Sequence, residues 1–276
     1  MKNNKNPARV LIIAGSDSGG GAGIQGDIKT VTCLGGYAST AITALTAQNT
    51  TGVYRIHDIP EEFIAQQIGL VLSDIGADAI KTGMLSKASV IEVVADSLTN
   101  YSHIPLILDP VMFAKGGAAL LAIDALETLK TRLIPLATII TPNLPEAEFL
   151  AGIRIKNVAD MRAAADKILN LGCKSVLIKG GHLESEILTD LLVTNDDELV
   201  FNQPRINTKN THGTGCTLAS AIATGLAQSL ALEEAVKRAI SYTIKAIQTA
   251  PNIGTGHGAL WHGHTVQEFC LYTQSS

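Results

Sequence analysis

The sequence has few cysteines, few aromatic residues and no dense block of charge, and these shortages argue against several classes of protein. Its four cysteines, Cys33, Cys173, Cys216 and Cys270, lie far apart and form no C-x-x-C pair, which argues against a disulfide framework or a cysteine zinc site. The net charge is only −4, and no run of like charges provides an electrostatic footprint for nucleic acid or for a membrane surface. We therefore expect neither nucleic acid nor a membrane as a partner.

Long apolar runs are also missing. No stretch approaches the ~18 apolar residues that a membrane-spanning helix needs. The N-terminal segment "MKNNKNPARV" is polar and lacks the apolar stretch of a signal peptide. These features predict a reduced, cytoplasmic protein whose cysteines other than Cys216 belong to the core.

The composition favours one large α/β domain covering residues 1–276. Hydrophobic residues make up 46% of the chain, charged residues 17% and aromatic residues 4%. Length alone would permit two domains, but α/β folds often exceed 200 residues as one unit. No linker rich in proline and glycine, low-complexity stretch or fixed repeat divides the sequence.

Short apolar runs alternate with segments of helical spacing. The runs "RVLIIA", "YASTAITAL", "DAIKTGM", "PLILDPVM", "ATIITPN" and "SVLIKGG" predict strands, and "EILTDLLVT" with "ELVFNQP" predicts an antiparallel pair. Helices are expected over 23–34, 158–171, 214–228 and 232–249 and in "EEFIAQQIGLVLSD", "KASVIEVVADSL" and "IDALETLKTRLI". Apolar strands that are each followed by a helix predict a mainly parallel sheet with helices on both faces.

Polar residues follow almost every predicted strand. The strand exits read "GSD", "QN", "KTGM", "DPVM", "TPNLPE" and "KGGH". Ligands of open α/β sheets bind outside the carboxyl ends of the strands, and core strands do not need such chemistry where they end. The sequence therefore predicts a binding site along this edge.

The first exit, "GSDSGGGAGIQGD", resembles a dinucleotide-binding loop. Gly21, Gly23 and Gly26 match G-x-G-x-x-G, but the second strand ends in "LTAQN" without the acidic residue that binds a ribose. We therefore favour a loop whose glycines let the backbone pass close to a small ligand. Asp27 follows in the first turns of the helix, where the helix dipole alone would favour a carboxylate. Gln48 has a planar donor and acceptor that suit the edge of a heterocycle.

The segment "THGTGCTLAS" predicts a tight turn that opens a helix. Unpaired N–H groups at a helix N-terminus can bind an anion. A thiol at Cys216 would lie among those donors, which would lower its pKa. The alternative is that Cys216 is a small buried apolar residue, and His212 is expected to serve packing or hydrogen bonding.

Seven motifs in order, from Ala14 to Ala223, resemble a known family. They are "AGSDSGGGAGIQGDIKT", "ALTAQNT", "KTGML", "DPVM", "TPNLPEAE", "IKGGH" and "TKNTHGTGCTLASAIA". Together they resemble the hydroxymethylpyrimidine/phosphomethylpyrimidine kinases of thiamine biosynthesis, which belong to the ribokinase-like superfamily. The resemblance implies a ribokinase-like three-layer sandwich. It also implies two ATP-dependent steps that convert 4-amino-5-hydroxymethyl-2-methylpyrimidine to its monophosphate and then to its diphosphate.

The resemblance assigns roles to individual residues. Cys216 occupies the position where most ribokinase-like enzymes carry an aspartate base. The other roles are an anion hole formed by the N–H groups of Gly213, Thr214, Gly215 and Cys216; pyrimidine binding by Asp27, Gln48 and the backbone of Gly15; apolar walls at Met84 and Val111; magnesium and phosphate binding by Asp109 and Glu146; and ATP phosphate binding by Asn143 and Lys179.

Two rival functions remain open. One is a pyridoxal kinase of the same superfamily, which Gln48 disfavours because an amide can pair with a ring nitrogen and its neighbouring amino group together. The other is a non-catalytic pyrimidine-binding regulator, which has no need of an anion hole.

The resemblance also implies a homodimer. "MFAKGGAAL" is glycine-rich enough for a mobile loop, and the histidines of "GHGALWHGH" lack a convincing metal-binding scaffold.

Overall fold

A nine-stranded sheet forms the centre of the structure. The computed structural model describes residues 6–113, 120–122, 124–181 and 186–266. The strands are β1 (Arg9–Asp17), β2 (Tyr37–Asn49), β3 (Gly52–Asp58), β4 (Ala79–Thr82), β5 (Leu106–Leu108), β6 (Ile139–Ile140), β7 (Ser175–Ile178), β8 (Ile187–Thr194) and β9 (Glu198–Pro204). They lie in the order β3-β2-β1-β4-β5-β6-β7-β8-β9.

The six strands from β2 to β7 in this order are parallel, and the edges of the sheet are antiparallel. β1 pairs in parallel with β2 and β4, and the parallel pairing continues through β5, β6 and β7. The hairpin strands β3, β8 and β9 are antiparallel to their neighbours. All six predicted parallel strands are therefore confirmed, and so is the predicted antiparallel pair.

Helices cover both faces of the sheet. They are α1 (Gly23–Cys33), α2 (Glu61–Leu70), α3 (Ala88–Leu98), α4 (Ala125–Thr128), α5 (Leu144–Ala151), α6 (Val158–Leu169), α7 (Thr214–Ala227) and α8 (Leu232–Gln248). Helices α1, α7 and α8 pack on one face, and α2 to α6 pack on the other. None of the helices within the described ranges is long and apolar enough to span a bilayer.

Strand β1 shows why two cores form. Leu11 and Ile13 point into the core beneath α2 to α6, while Val10 and Ile12 point into the core beneath α1, α7 and α8. All four side chains are fully buried. Side chains alternate between the faces of a strand, so a strand covered on both sides is apolar throughout.

Two elements were not predicted. Strand β3 is an edge strand with four consecutive exposed residues, 54–57, so its sequence lacks the apolar alternation of a half-buried strand. Helix α5 begins at Leu144, shortly after β6 ends at Ile140, within the segment "TPNLPE" that we interpreted only as a strand exit. The other helices begin within a few residues of their predicted starts, and α2 and α4 continue as π-helical turns over Val71–Ile75 and Leu129–Leu133.

Candidate active site

An open cavity of about 950 Å³ lies at the carboxyl ends of the parallel strands. The residues lining it include Gly15, Gln48, Met84, Asp109, Val111, Asn143, Glu146, Lys179 and the run 213–216. Polar residues from separate strand exits thus meet around one cavity at the edge of the sheet where the sequence predicts a binding site. Asp27 is the predicted site residue that does not line the cavity.

The first wall is the glycine loop between β1 and α1. The carboxylate of Asp17 accepts hydrogen bonds from the backbone N–H groups of Gly19 (2.8 Å) and Ala22 (2.9 Å), which fold the loop around it. Gly23 has φ +54° at the start of α1, and a Cβ there would collide with the carbonyl oxygen of Gly15. Glycine is therefore required where the loop passes back over the end of β1.

The second wall is the N-terminus of α7. Gly213 has φ +85° as the N-cap, and a Cβ there would collide with the carbonyl oxygen of Gly21 in the glycine loop. At Gly215, a Cβ would lie 3.3 Å from Nζ of Lys179 and 3.7 Å from Oδ2 of Asp109. The missing side chains let the first N–H groups of α7 face the cavity beside a lysine, which forms a site suited to an anion.

Charged side chains that directly follow β5 and β7, and one on α5, surround this N-terminus. Nζ of Lys179 donates to Oδ1 of Asp109 at 3.2 Å, and both side chains are largely buried. Burial alone lowers the pKa of Lys179, but the carboxylates of Asp109 and Glu146 raise it above its ordinary value, so the ammonium stays charged. Burial raises the pKa of Glu146 to about 7, and the negative charge of Asp109 adds to the rise.

Asn143 and Glu146 also start helix α5. Oδ1 of Asn143 accepts the N–H of Glu146 at 3.0 Å, and Oε2 of Glu146 accepts the N–H of Asn143 at 2.8 Å. This reciprocal pair is a capping box, which satisfies two backbone donors at the helix start. The cap holds the Glu146 carboxylate at the cavity wall, where only 3% of the residue is exposed.

The expected pKa of Cys216 was wrong. The position at a helix start predicted a lowered value, whereas burial raises the pKa to about 12. The positive charge of Lys81 opposes the rise, but the negative charges of Asp27 and Asp109 add to it. The thiol is therefore protonated at neutral pH, because the cost of burying a thiolate exceeds the effect of the nearby donors.

The position of Asp27 does not fit its predicted role in pyrimidine binding. Its side chain is fully buried and accepts hydrogen bonds from Nζ of Lys81 at 2.9 and 2.8 Å and from Oγ of Ser220 at 2.7 Å. It thus lies behind the wall of the cavity, where it holds a lysine that the sequence analysis did not single out. Lys81 itself lines the cavity, and a lysine within the apolar strand "DAIKTGM" was the signal that could have revealed it.

Gln48 projects from the end of β2 between two polar side chains. Its carboxamide lies 3.3 Å from Nε2 of His212 and 3.2 Å from Oγ1 of Thr46. Nε2 of His212 also lies 2.8 Å from Oδ2 of Asp17. His212 does serve hydrogen bonding, as expected, but its contact with Gln48 was not foreseen because the two residues are 164 positions apart.

The C-terminal histidines, the other cysteines and the glycine-rich loop were also subjects of prediction. His262 is buried and lies 3.1 Å from the hydroxyl of Tyr242, and across the described ranges no cluster of three or more His, Cys, Asp or Glu side chains suits a metal ion. Cys173 is buried, whereas Cys33 is partly exposed. Cys270 and most of the expected mobile loop, 114–119, lie outside the described residues.

The fold and the site together define the class of protein. A mainly parallel sheet between two helical layers carries a helix N-terminus, a lysine and two carboxylates beside a cavity for a small molecule. A crystallised pyridoxal kinase of Bacillus subtilis, in complex with ADP, has the same fold with a TM-score of 0.86 and 35% sequence identity. The match covers 94% of this chain and 98% of that enzyme, so the predicted ribokinase-like fold is confirmed.

The sequence comparison then gives the family. The profile of the phosphomethylpyrimidine kinase family matches residues 17–261, and the chain belongs to that family. It is 46% identical to a hydroxymethylpyrimidine/phosphomethylpyrimidine kinase of Streptomyces coelicolor, covering 95% of this chain and 97% of the relative. It is also 53% identical to a thiamine biosynthesis bifunctional protein of Geobacter sulfurreducens, where 92% of this chain spans 52% of the longer relative.

Proposed function

We propose that this protein phosphorylates 4-amino-5-hydroxymethyl-2-methylpyrimidine with ATP, first to the monophosphate and then to the diphosphate. One observation carries the proposal: a single cavity connects a carboxamide suited to an aminopyrimidine, Gln48, with an anion-binding helix N-terminus at Gly213–Cys216. The family membership and the names of the relatives support the same reaction.

The two substrates occupy opposite parts of the cavity. The pyrimidine lies against Gly15, Gln48, Met84 and Val111. The ATP phosphates lie near Asn143, Lys179 and the start of α7, and the nucleoside extends towards an apolar face of α8 that includes Ile240, Ile244 and Ile247. Phosphoryl transfer depends on positioning and charge stabilisation, and backbone N–H groups with a lysine supply both.

Asp109 and Glu146 fit a magnesium ion. Both are buried carboxylates on the cavity wall, and Lys179 is the cation beside them. Mg²⁺ takes one or two protein carboxylates and completes its shell with water and substrate phosphates. When bound, the ion would neutralise phosphate charge, while the residues of the chain hold and orient the substrates.

The reaction is tested by turnover with defined acceptors. Purified protein should consume ATP when the hydroxymethylpyrimidine is the sole acceptor, and removal of Mg²⁺ with a chelator should stop the consumption. Pyridoxal as sole acceptor is the informative alternative, because a pyridoxal kinase shares this fold. Faster turnover of pyridoxal than of the pyrimidine would overturn the proposal, and a failure to consume ATP with either alcohol would support a binding protein instead.

The role of Cys216 differs between the two steps. The first acceptor is an alcohol whose proton must leave, so a base helps. The second acceptor is a phosphate monoester that is already largely ionised, because its second pKa is ~6. Since burial raises the pKa of Cys216 to about 12, the thiol must lose its own proton before it acts as the base. The first step should therefore accelerate as the pH rises.

Single-turnover kinetics of Cys216→Ala separate the steps. We expect the first transfer to slow by about 10²- to 10⁴-fold and to lose its acceleration with pH, while the second transfer changes much less. Cys33→Ala is the matched control, since Cys33 does not line the cavity. Equal losses in both steps would make Cys216 a positioning residue.

The cellular location and the oligomeric state of the enzyme are also proposed. A cytoplasmic location agrees with the proposed role of Cys216, because that role needs a reduced thiol. We also propose that the protein is a homodimer. Family members without a large lid domain commonly associate in pairs. The assembly is a question for solution measurements of the purified protein.

A further inference from the structure

The carboxamide of Gln48 lies between two side chains whose hydrogen-bonding roles are fixed by their other partners. In the structure, Nε2 of Gln48 lies 3.3 Å from Nε2 of His212, and Oε1 lies 3.2 Å from Oγ1 of Thr46. The two ends of a carboxamide have nearly the same shape, so hydrogen bonds decide which end carries the oxygen. The neighbours of His212 and Thr46 therefore decide how Gln48 presents itself to a ligand.

Nε2 of His212 must carry a proton. It lies 2.8 Å from Oδ2 of Asp17, which also accepts the N–H of Ala22. Although burial alone raises the pKa of Asp17, the hydrogen bonds from His212 and Ala22 hold that pKa below its ordinary value, so the group is an ionised acceptor. Nε2 of His212 is then a donor, and it cannot accept a hydrogen bond from an amide N–H.

The hydroxyl of Thr46 has the opposite constraint. Oγ1 lies 2.8 Å from the carbonyl oxygen of Ser16, and a carbonyl oxygen can only accept. The single proton of Thr46 is therefore used, and Oγ1 faces Gln48 as an acceptor. A carboxamide oxygen at this place would bring two acceptors together.

We infer that the carboxamide of Gln48 is turned with its oxygen towards His212 and its N–H₂ towards Thr46, and that His212 is the positioning residue that fixes this order. Nε2 of His212 donates its proton to Asp17 and has no lone pair left for an amide N–H, whereas Oγ1 of Thr46 can accept one, so both neighbours favour the same orientation. Asp17 holds the imidazole in place. The glycine at position 21 leaves room for the ring, since a Cβ there would lie 2.5 Å from Cδ2 of His212.

This order has a consequence for specificity, which rests on the proposed function. Gln48 offers a ligand an acceptor on the His212 side and a donor on the Thr46 side. A 4-aminopyrimidine has the complementary pair, since its amino group donates and its neighbouring ring nitrogen accepts. The amino group therefore lies on the His212 side. A 4-oxopyrimidine of the same size has the reverse pair, so each of its groups would meet a group of its own kind.

The orientation is tested first without any ligand. In ¹⁵N-labelled protein, the side-chain amide protons of Gln48, assigned by their loss in Gln48→Ala, should show stronger nuclear Overhauser contacts to the Thr46 methyl group than to the His212 ring protons. The opposite pattern would overturn the inference. This measurement stands whether or not the protein acts on a pyrimidine.

The specificity is tested by calorimetric titration with 5-hydroxymethyl-2-methylpyrimidines that carry a 4-amino or a 4-oxo group. The unsubstituted protein should favour the amino compound by about five- to 150-fold, the effect of leaving buried polar groups unpaired. His212→Phe keeps a flat ring without the donor, so the affinity ratio should fall by about fivefold or more. Asp17→Asn replaces the carboxylate that keeps the proton on Nε2 of His212 with an amide whose N–H₂ can donate to Nε2, so this variant should also lower the ratio.

The control is His57→Phe, the same substitution at an exposed position on β3. Its affinity ratio should match that of the unsubstituted protein. An unchanged ratio in both His212→Phe and Asp17→Asn would overturn the positioning role. If neither pyrimidine binds the unsubstituted protein, the proposed function fails, and the NMR contacts alone decide the orientation of Gln48.

Discussion

Replacing Lys81 with methionine should destabilise the protein strongly, because the change leaves a buried carboxylate without its cation. Nζ of Lys81 donates to both carboxylate oxygens of Asp27, at 2.9 and 2.8 Å, and neither side chain is exposed to solvent. Methionine fills a similar volume without a charge. Of the side chains described as donating to Asp27, Ser220 would remain, and one hydroxyl cannot compensate a buried negative charge.

The magnitude follows from the burial of the pair. Removing one partner of a buried ion pair costs about 3–5 kcal/mol, most of which is the cost of the uncompensated charge. For domains of somewhat smaller size, each kcal/mol shifts the unfolding midpoint by roughly 2–4 °C. We therefore expect the midpoint of Lys81→Met to fall by roughly 6–20 °C.

A double variant distinguishes the unpaired charge from lost packing. In Lys81→Met with Asp27→Asn, the charge is gone and an acceptor for Ser220 remains, so much of the stability should return. Scanning calorimetry measures the midpoints, and Lys87→Met is the matched control, because Lys87 forms an exposed ion pair with Asp58 at 2.6 Å. A midpoint of Lys81→Met equal to that of the control, or a double variant no more stable than Lys81→Met, would refute the reasoning.

Three further expectations concern binding, pH and assembly. Gln48→Ala should weaken binding of the pyrimidine by about five- to 150-fold and leave ATP binding nearly unchanged, as measured by titration calorimetry; an unchanged pyrimidine affinity would make Gln48 a bystander. Burial, with the nearby charges of Lys29 and His264, lowers the pKa of His262 from 6.5 to about 4. Between these pH values the unfolded chain binds more protons than the folded protein, so stability is retained above pH 6.5 and lost as the pH falls towards 4. The urea midpoint of His262→Asn should therefore depend less on pH than that of the unsubstituted protein. Light scattering at micromolar concentration should show a dimer, and a monomer alone would contradict that expectation.

Much of the architecture was predictable because the parallel strands are apolar on both faces. Runs such as "RVLIIA" give a strong signal, and the polar strand exits correctly placed the cavity at the carboxyl edge of the sheet. Strand β3 was missed because it lies at an edge of the sheet, where residues 54–57 are exposed and the sequence has no pattern of buried apolar residues. Helix α5 was missed although Asn143 and Glu146 have the spacing of a capping box, which is a helix-start signal in the sequence itself.

The position of Asp27 was also encoded locally. Ile24, Asp27 and Val31 follow helical spacing and are all buried on one face of α1. A carboxylate on such a face needs a buried cation, and the lysine in the apolar strand β4 provides it. The carboxylate on the apolar face of α1 and the lysine in the apolar strand β4, considered together, would have predicted the ion pair between Asp27 and Lys81.

Other features could not follow from the sequence because they depend on distant packing. The pKa of Cys216, which is partly exposed at the cavity wall, depends on the burial of its thiol and on the charges of Lys81, Asp27 and Asp109, which lie on other elements. A helix N-terminus alone predicts a lower value. The contact between His212 and Gln48 likewise exists only once β2 and the turn before α7 meet.

The charges around the start of α7 explain why a phosphotransfer site here would need a divalent cation. Two buried ammonium groups, Lys81 and Lys179, lie among the carboxylates of Asp27, Asp109 and Glu146, so the side chains sum to −1 when all are ionised. ATP and the pyrimidine monophosphate bring further negative charge into this cavity. The partial positive charge of a helix N-terminus, ~0.5 of an elementary charge, is too small to offset that sum. A Mg²⁺ ion held by Asp109 and Glu146 would change the sum from −1 to +1, and its charge would favour the ionised form of Glu146, whose pKa burial raises to about 7.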